Sequence, residues 1–155
     1  MSTVTSRHQS RRLRPPRAVT GLGALVLCLA LLSGCLSPGQ STAFDSMNRD
    51  RVAMGREPLL PNGVATAKAQ AWAEHLADLG HLQHSVLADG FRGVAWCELG
   101  ENIGYGADPI VVENAYMQSP GHRRNILDPK WESAGVGYYR ASDRVYTVQI
   151  FVKMC

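Results

Sequence analysis

The stretch AGVGYYRASDRVYTVQIFV, residues 134–152, sets the architecture of the second half of the chain. Its two halves, AGVGYYR and RVYTVQIFV, are rich in the β-branched and aromatic side chains that favour strands. The segment ASDR between them has the small and polar residues of a turn. The stretch therefore predicts an antiparallel β-hairpin.

Two helices are predicted upstream of the hairpin. Ser41 or Thr42 is placed to cap the first, which should run to about Met54. The second should follow a turn at 58–63 and end at Gly80. Spacings of three and four residues define one face on the first helix and an apolar face on the second. These faces comprise Phe44, Met47, Arg51 and Met54 in the first helix, and Ala65, Ala69, Trp72, Ala73, Leu76 and Leu79 in the second.

A glycine-rich segment and two shorter helices lie between the second helix and the hairpin. Residues 81–106 look irregular and predict one strand, at 94–98. The dipeptides Asp-Pro at 108–109 and Ser-Pro at 119–120 combine a capping residue with a first-turn proline, so each should open a helix. Helices followed by antiparallel strands, without a βαβ alternation, indicate the α+β class.

The first 34 residues have the pattern of an export signal. Basic residues up to Arg17 precede an almost wholly apolar run at 18–32. That run is about fifteen residues long, short of the roughly 20 that span a bilayer as a helix. We expect one globular domain beyond it, because 155 residues suffice for a single core. Arg11 and Arg12 leave the choice between the general and twin-arginine export routes open.

The tetrapeptide LSGC at 32–35 resembles the bacterial lipobox, in which a cysteine is acylated through its sulfur and becomes the new N-terminus. The resemblance implies a lipid on Cys35, a tether at 35–41, and anchoring to the outer side of a bacterial membrane. The alternative is cleavage elsewhere in this region, which would leave Cys35 an ordinary residue.

Removal of residues 1–34 changes the charge of the chain. They hold five of the sixteen Lys and Arg residues and none of the thirteen acidic ones. The remaining chain has eleven basic and thirteen acidic residues, so its formal net charge is −2. A nucleic-acid surface needs basic residues clustered on one face, and Arg123 and Arg124 are the only adjacent pair beyond position 34. Nucleic acid is therefore not an expected partner.

Export also bears on the four cysteines. Cys28 would be lost with the signal and Cys35 would carry lipid, so Cys97 and Cys155 remain. Two cysteines in an oxidising compartment most simply pair with each other. Such a bridge would close a loop of roughly 58 residues and contribute about 4 kcal/mol through chain entropy. Two buried free thiols are the alternative.

Five short motifs follow one another along the chain: HS at 84–85, GENI at 100–103, SPGHRRNIL at 119–127, GVGYY at 135–139 and VQIF at 148–151. Their order and spacing together resemble the CAP superfamily, also called SCP or pathogenesis-related-1 type, in its short bacterial form. Asn48, Arg51 and Gly55 match as well. The resemblance implies a three-layer α-β-α sandwich with a central antiparallel sheet, formed by a CAP domain at 42–155.

The resemblance also implies a large open cleft in which two histidines and two acidic residues meet. Three of these positions are matched, by His84, Glu101 and His122. The fourth, an acidic position in many relatives, falls on Ser119 if Tyr116 is the aromatic residue before it. Glu113 lies one helical turn before Tyr116. We interpret it as a surface charge, with a role in the cleft as the alternative.

Two imidazoles and a carboxylate are ligand types found in catalytic zinc sites, so Zn²⁺ is the candidate cofactor, with His84 and His122 as its candidate ligands. The three residues lack the close HExxH spacing, and no second glutamate is available as a general base. Hydrogen bonds alone would also hold a carboxylate between two histidines. We weigh this metal-free arrangement at least equally with a weak metal site, and both above catalysis.

Two further expectations concern the motif residues. Ser85 and Ser119 lie near histidines but outside a nucleophile elbow, and Ser119 is better explained as a helix cap. His122 would lie in the first turn of its helix, where the helix dipole lowers the pKa of an imidazole and favours the neutral form.

Three functions fit these patterns. The first is a lipid-anchored binding module whose cleft holds a small apolar molecule, a peptide or a cell-wall fragment. The second is a weak zinc-dependent hydrolase, and the third is a non-catalytic scaffold of the cell envelope. We take the first as the prediction, because the resemblance specifies the fold far more closely than any reaction.

Overall fold

The structure, a computed structural model, describes residues 36–155. The export signal, the lipobox and Cys35 lie outside the described residues. Within them, the elements in chain order are α1 Pro38–Ala53, β1 Leu60–Pro61, α2 Gly63–Leu79, β2 Glu98–Gly106, α3 Pro109–Gln118, α4 Pro120–Leu127, β3 Ser133–Ala141 and β4 Arg144–Lys153. A short 3₁₀ turn, Leu87–Gly90, lies between α2 and β2. In this part of the chain, no helix has the length and apolar character that crossing a membrane requires.

The four strands form one sheet in the order β1-β3-β4-β2. The predicted hairpin is confirmed: β3 and β4 pair antiparallel from Ser133 opposite Val152 to Ala141 opposite Arg144. Strand β2 pairs antiparallel with the other side of β4. The two-residue strand β1 is parallel to β3 and is the one parallel pairing among the described strands. Strand β2 is therefore an edge strand.

The core lies on both faces of the sheet, because residues 145–152 of β4 are buried throughout. Tyr146, Val148 and Ile150 pack in a cluster with α2 on one face. The alternate, odd-numbered residues of β4 point the other way, and of these Val145 and Phe151 join a cluster with α1, α3 and α4. One helix on one face and three on the other confirm the predicted three-layer α-β-α sandwich.

Two glycines of β3 let α2 lie directly on the sheet. A Cβ on Gly135 would be 2.0 Å from the backbone nitrogen of Thr66, and one on Gly137 would be 2.0 Å from the carbonyl oxygen of Ala69. The facing helix residues Ala65 and Ala69 are fully buried. The close packing predicted from the alanine face of α2 is thus confirmed.

A disulfide joins Cys97 and Cys155, as the cysteine usage predicted. Their Cα atoms are 4.9 Å apart, and the bridge ties the segment before β2 to the segment after β4. The backbone nitrogen of Cys97 also donates to the carbonyl oxygen of Lys153, at 2.8 Å. The disulfide therefore extends the pairing of β2 with β4 by a covalent link.

Helix α1 begins earlier than the sequence predicted, so the cap at Ser41 or Thr42 is wrong. The cap is Ser37, whose Oγ accepts from the backbone nitrogen of Gln40 while the Gln40 side chain accepts from that of Ser37. Pro38 fills the first helical position. The predicted tether at 35–41 is therefore wrong over 38–41, which are helical.

The strand predicted at 94–98 is also wrong, because the strand is β2, Glu98–Gly106, and contains the glycine-rich GENIGYG. Glycine has low strand propensity, but every second position here faces bulky neighbours. A Cβ on Gly104 would lie 2.8 Å from the Tyr116 ring, and one on Gly100 would lie 2.9 Å from Trp131. Tertiary packing therefore selects glycine in this strand.

The other helix boundaries follow the sequence prediction. Helix α2 ends at Gly80, which has the left-handed φ of 72° that favours glycine. Asp108 caps α3 by accepting from the backbone nitrogens of Ile110 and Val111. Ser119 is the N-cap residue of α4 and Pro120 its first helical residue, as predicted, although the Ser119 side chain makes no capping hydrogen bond.

Candidate functional site

The predicted site residues His84, Glu101 and His122 lie around the outer edge of β2. Glu101 and Asn102 are neighbours on this strand, so their side chains leave opposite faces of the sheet. Glu101 meets the segment that follows α2, through His84 and Ser85. Asn102 meets α4, where it bonds the backbone of His122. The edge of β2 is therefore flanked by His84 on one side and His122 on the other.

Glu101 fixes the position of the His84 segment. One carboxylate oxygen, Oε1, accepts from His84 Nδ1 at 2.7 Å and from the backbone nitrogen of Ser85 at 2.9 Å. The Glu101 side chain is 2% exposed, whereas that of His84 is 63% exposed. A buried carboxylate thus orients a solvent-facing imidazole and leaves its Nε2 as the ring nitrogen available to a ligand.

His122 lies in the first turn of α4 and packs against Tyr116 of α3. The ring centroids are 4.9 Å apart with a tilt of 48°. Tyr116 is itself held by its hydroxyl, which donates to the carbonyl oxygen of Thr147 at 2.9 Å. Burial lowers the pKa of His122, and the nearby charge of His84 lowers it further. The direction matches the sequence prediction, and burial is the largest cause.

A chain of buried amides lies beneath His122. Asn102 and Gln149 are directly opposite each other on β2 and β4. Asn102 Nδ2 donates to Gln149 Oε1 at 2.9 Å and to the carbonyl oxygen of His122 at 3.2 Å. Asn125 of α4 donates to Asn102 Oδ1 at 3.0 Å and to the carbonyl oxygen of Glu101 at 3.2 Å. These bonds fasten α4 to the sheet at the level of the site.

The interpretation of Glu113 as a surface charge is wrong, because this residue is 2% exposed and ends the amide chain. Its Oε2 accepts from Gln149 Nε2 at 2.5 Å. Burial, and to a lesser extent Asp50, raise the pKa of Glu113 to about 8, although the Gln149 bond and the charge of Arg49 act in the opposite direction. Glu113 belongs to the buried support of the site and does not line the cleft.

We expect Glu113→Gln to flatten the pH dependence of stability. The folded-state pKa of about 8 exceeds the ordinary 4.5, so the stabilising contribution of Glu113 is complete below about pH 4.5 and is lost as the pH rises through 8. The wild type should therefore lose about 4 kcal/mol of unfolding free energy between pH 5 and pH 9 through this residue. Urea unfolding at a series of pH values measures the difference.

The exposed Glu132 supplies the matched control for that experiment. Glu132→Gln should keep the wild-type pH slope, while Glu113→Gln should be less stable or equal at pH 5 and more stable than the wild type at pH 9. Parallel pH profiles for Glu113→Gln and the wild type would show that the carboxyl group does not retain its proton in the fold.

A cleft of about 410 Å³ opens over the edge of β2. Most of its lining is apolar, and Ser119 and His122 supply polar groups beside it. The lining residues are Leu82, Ile103, Gly104, Tyr105, Val112, Ala115, Tyr116, Ser119 and His122. The volume lies within the range of about 300 to 1,000 Å³ typical of small-molecule sites. His84 and Glu101 stand at the side of this cleft and do not line it.

The described residues do not fit a catalytic zinc centre. Across positions 36–155, no three His, Cys, Asp or Glu side chains are grouped so that they could hold a metal ion. The Glu101 oxygen that faces His84 is already used by two hydrogen bonds. His84 and His122 would then be the two remaining ligands of the predicted set, and catalytic zinc sites use three protein ligands. No reaction step is therefore derived through zinc.

A larger cavity, of about 610 Å³, lies elsewhere, between the outer face of α2 and the 3₁₀ turn. Its lining includes the exposed Ala67 and Ala71, and its polar groups His75 and Asp89 are exposed as well. None of the motif residues lines it. We assign the functional site to the cleft at β2, because buried polar groups converge there and size alone does not identify a site.

The sequence prediction missed both the apolar lining of the cleft and the amide chain behind it. The lining comes from three separate segments, so no local periodicity marks it. The amide chain left a signal that was not used: Gln149 is a polar residue within the continuous apolar run of a strand that is buried on both faces. A buried amide in such a strand requires partners on the facing elements.

Comparison with known proteins gives a consistent result. Residues 44–152 match the sequence profile of the cysteine-rich secretory protein family, CAP. A curated relative, the uncharacterized protein YkwD of Bacillus subtilis strain 168, is 32% identical over 126 residues, which cover 76% of this chain and 49% of the relative. The chain therefore spans about half the length of that relative.

Solved structures share the fold at lower identity. An extracellular protein with an SCP domain from Bacillus anthracis superposes with a TM-score of 0.67 at 23% identity, over 78% of this chain and 45% of its own. An outer surface protein of Borrelia burgdorferi superposes with a TM-score of 0.68 at 15% identity, over 74% of this chain and 92% of its own. Venom allergen-like protein 4 of Schistosoma mansoni superposes with a TM-score of 0.63 at 14% identity, over 77% of this chain and 91% of its own.

Proposed function

The chain belongs to the cysteine-rich secretory protein family, CAP, and from this premise we propose that it is an exported, lipid-anchored binding module whose cleft at β2 holds a small apolar molecule. The observation that carries the proposal is the lining of the cleft, in which apolar and aromatic side chains surround a few polar groups. This is the usual composition of small-molecule sites.

The polar groups of the cleft are suited to orienting a ligand. The lowered pKa of His122 keeps its ring neutral near pH 7, so it can donate or accept one hydrogen bond without introducing a charge. Ser119 adds a hydroxyl group on the same wall. One end of an otherwise apolar ligand, such as a hydroxyl or carboxyl group, would satisfy both side chains.

Export and anchoring are supported by three independent features. The first 35 residues contain the signal pattern and the lipobox. The Cys97–Cys155 disulfide needs an oxidising compartment. Two proteins of the same fold are described as an extracellular protein and an outer surface protein. We extend that location to this chain, with the lipid on Cys35 as the anchor.

The arrangement of nucleophiles favours binding over turnover. Among the hydrogen bonds of residues 36–155, none joins the hydroxyl group of Ser85 or Ser119 to a histidine, and Ser85 Oγ is buried without a partner. A nucleophilic serine needs a base within hydrogen-bond reach. Hydrolysis therefore ranks below ligand binding for this cleft.

Titration with cis-parinaric acid, a fatty acid that becomes fluorescent in apolar surroundings, tests the proposal. Ala115→Trp should fill the cleft from α3 and weaken binding by about ten-fold or more, which equals about 1.4 kcal/mol. Asn114→Trp is the matched control, since Asn114 is the adjacent exposed residue of α3 and lies outside the lining. It should bind as the wild type does.

Two outcomes of the titration would contradict the proposal. Equal binding by Ala115→Trp and the wild type would place the fatty acid outside this cleft. Absence of saturable binding to the wild type would show that the cleft does not hold a fatty acid. An extended peptide would then be the next candidate, because β2 is an edge strand and can pair with a further strand.

A further inference from the structure

The link between the proposed lipid and the folded domain is very short. Helix α1 starts at Pro38, so Leu36 and Ser37 are all that separates it from Cys35. Ser37 is fixed as the helix cap, and Leu36 packs against the core cluster shared by α1, α3 and α4. Two extended residues span at most about 7 Å. A lipid on Cys35 would therefore hold the start of α1 close to the membrane surface.

The start of α1 lies at the hairpin end of the sheet. Gly39 is so close to the Tyr138 ring that a Cβ there would be 2.5 Å from it, and Tyr138 is near the end of β3 that enters the turn. The other end of α1 lies at the start of β3, because Asn48 bonds the backbone of Leu59, which precedes β1. Helix α1 therefore runs antiparallel to β3, away from the hairpin turn.

Several exposed apolar side chains lie at this same end of the sheet. We call them, with two arginines, the hairpin-end surface: Tyr105, Ile110, Val111, Tyr139, Arg140 and Arg144. The four apolar side chains are between 38% and 48% exposed. Tyr105 and Tyr139 both pair with positions at the start of β4, and Arg144 lies 4.9 Å over the Tyr105 ring. Ile110 and Val111 begin α3 directly after β2.

Resting on the lipid anchor proposed above, we propose that the hairpin-end surface lies on the phospholipid bilayer that holds Cys35. Tyrosine side chains favour the interface between lipid and water, and aliphatic side chains gain by leaving water there. Arg140 can reach phosphate groups while its stem lies along apolar surface. Two acidic residues lie at the same end. Asp108 caps α3 and Asp143 pairs with Arg144, so both negative charges are partly compensated within the protein.

This orientation bears on the source of the ligand. Tyr105 belongs both to the hairpin-end surface and to the lining of the cleft, and Val111 adjoins the lining residue Val112. The mouth of the cleft would therefore open beside the bilayer. An apolar ligand with an acyl chain would pass between membrane and cleft with little exposure to water.

Nitroxide labels on the full, lipid-modified chain in phosphatidylethanolamine and phosphatidylglycerol vesicles test the orientation. Val111→Cys places a label on the hairpin-end surface. Val52→Cys is the matched control, because Val52 is similarly exposed, at 57% against 46%, and lies at the far end of α1. Collisions with a water-soluble nickel chelate should be about three-fold less frequent at position 111 than at 52, as an interfacial position requires. When the chain without lipid is free in solution, the collision frequencies at positions 111 and 52 should be equal.

Two further results separate this inference from the anchor on which it rests. Cys35→Ser should release the protein from the membrane fraction; an unmodified wild type found in the aqueous fraction would overturn both the anchor and the orientation. A wild type that is lipid-modified and membrane-bound, but with equal nickel collisions at 111 and 52, would leave the anchor in place and overturn the orientation.

Discussion

Gly137→Ala should destabilise the protein by at least about 3 kcal/mol, a large share of the roughly 5 to 15 kcal/mol that keeps a domain folded. The new Cβ would lie 2.0 Å from the carbonyl oxygen of Ala69 and 2.3 Å from its carbonyl carbon. These atoms belong to the backbone of α2, so no side chain can rotate to make room. Either α2 must lift from the sheet or β3 must bend, and both changes disrupt the core.

A matched alanine substitution separates this steric effect from the general effect of replacing glycine. Gly121 lies in α4, and no atom outside its own helical turn lies within 4 Å of the position that a Cβ would take there. Gly121→Ala should therefore be neutral or stabilise by up to about 1 kcal/mol. Urea unfolding followed by circular dichroism compares the two. If Gly137→Ala stays within about 1 kcal/mol of the wild type, then α2 does not rest on β3 as closely as described.

Arg51→Ala should cost about 3 to 5 kcal/mol of unfolding free energy. The Arg51 side chain is only 1% exposed and connects three backbone carbonyls. Nε donates to Glu57 at 2.9 Å, while Nη1 donates to Ile126 at 2.5 Å and to Asp128 at 3.1 Å. Its removal would leave these carbonyl groups without their donor and detach the end of α4 from α1.

Two variants serve as controls for Arg51. Arg49 is exposed on the same helix, so Arg49→Ala should change stability by less than about 0.5 kcal/mol. Arg51→Lys keeps the charge but lacks the planar guanidinium group that donates to several carbonyls at once, so an intermediate loss of unfolding free energy is expected. Equal stability of Arg51→Ala and Arg49→Ala in the same unfolding assay would show that the buried guanidinium does not join the two helices.

The parts of the fold that sequence predicted well are those with strong local signals. The hairpin has β-branched and aromatic runs on both sides of a polar turn, and the capping pairs at 108–109 and 119–120 mark helix starts. Strand β2 was misplaced because its glycines carry no strand signal of their own. They are required by Tyr116 and Trp131, which lie far away in sequence.

The candidate site was predictable only in part for a similar reason. The family resemblance selected His84, Glu101 and His122, and the structure places all three around the edge of β2. The metal-free arrangement weighed from the sequence has Glu101 bonded to both histidines, whereas in the structure Glu101 accepts from His84 and from the backbone of Ser85 but not from His122. Glu113 was misinterpreted because sequence spacing alone does not give the rotation of α3 about its axis, which turns this carboxyl group toward Gln149.

If the cleft at β2 holds an apolar ligand, nuclear magnetic resonance of residues 36–155 during titration with palmitate will detect the binding at the lining residues. We predict saturable shifts of the methyl signals from the lining residues Leu82, Ile103, Val112 and Ala115. Shifts confined to the cavity beside Trp72 on α2, or no shifts at all, would contradict binding in this cleft.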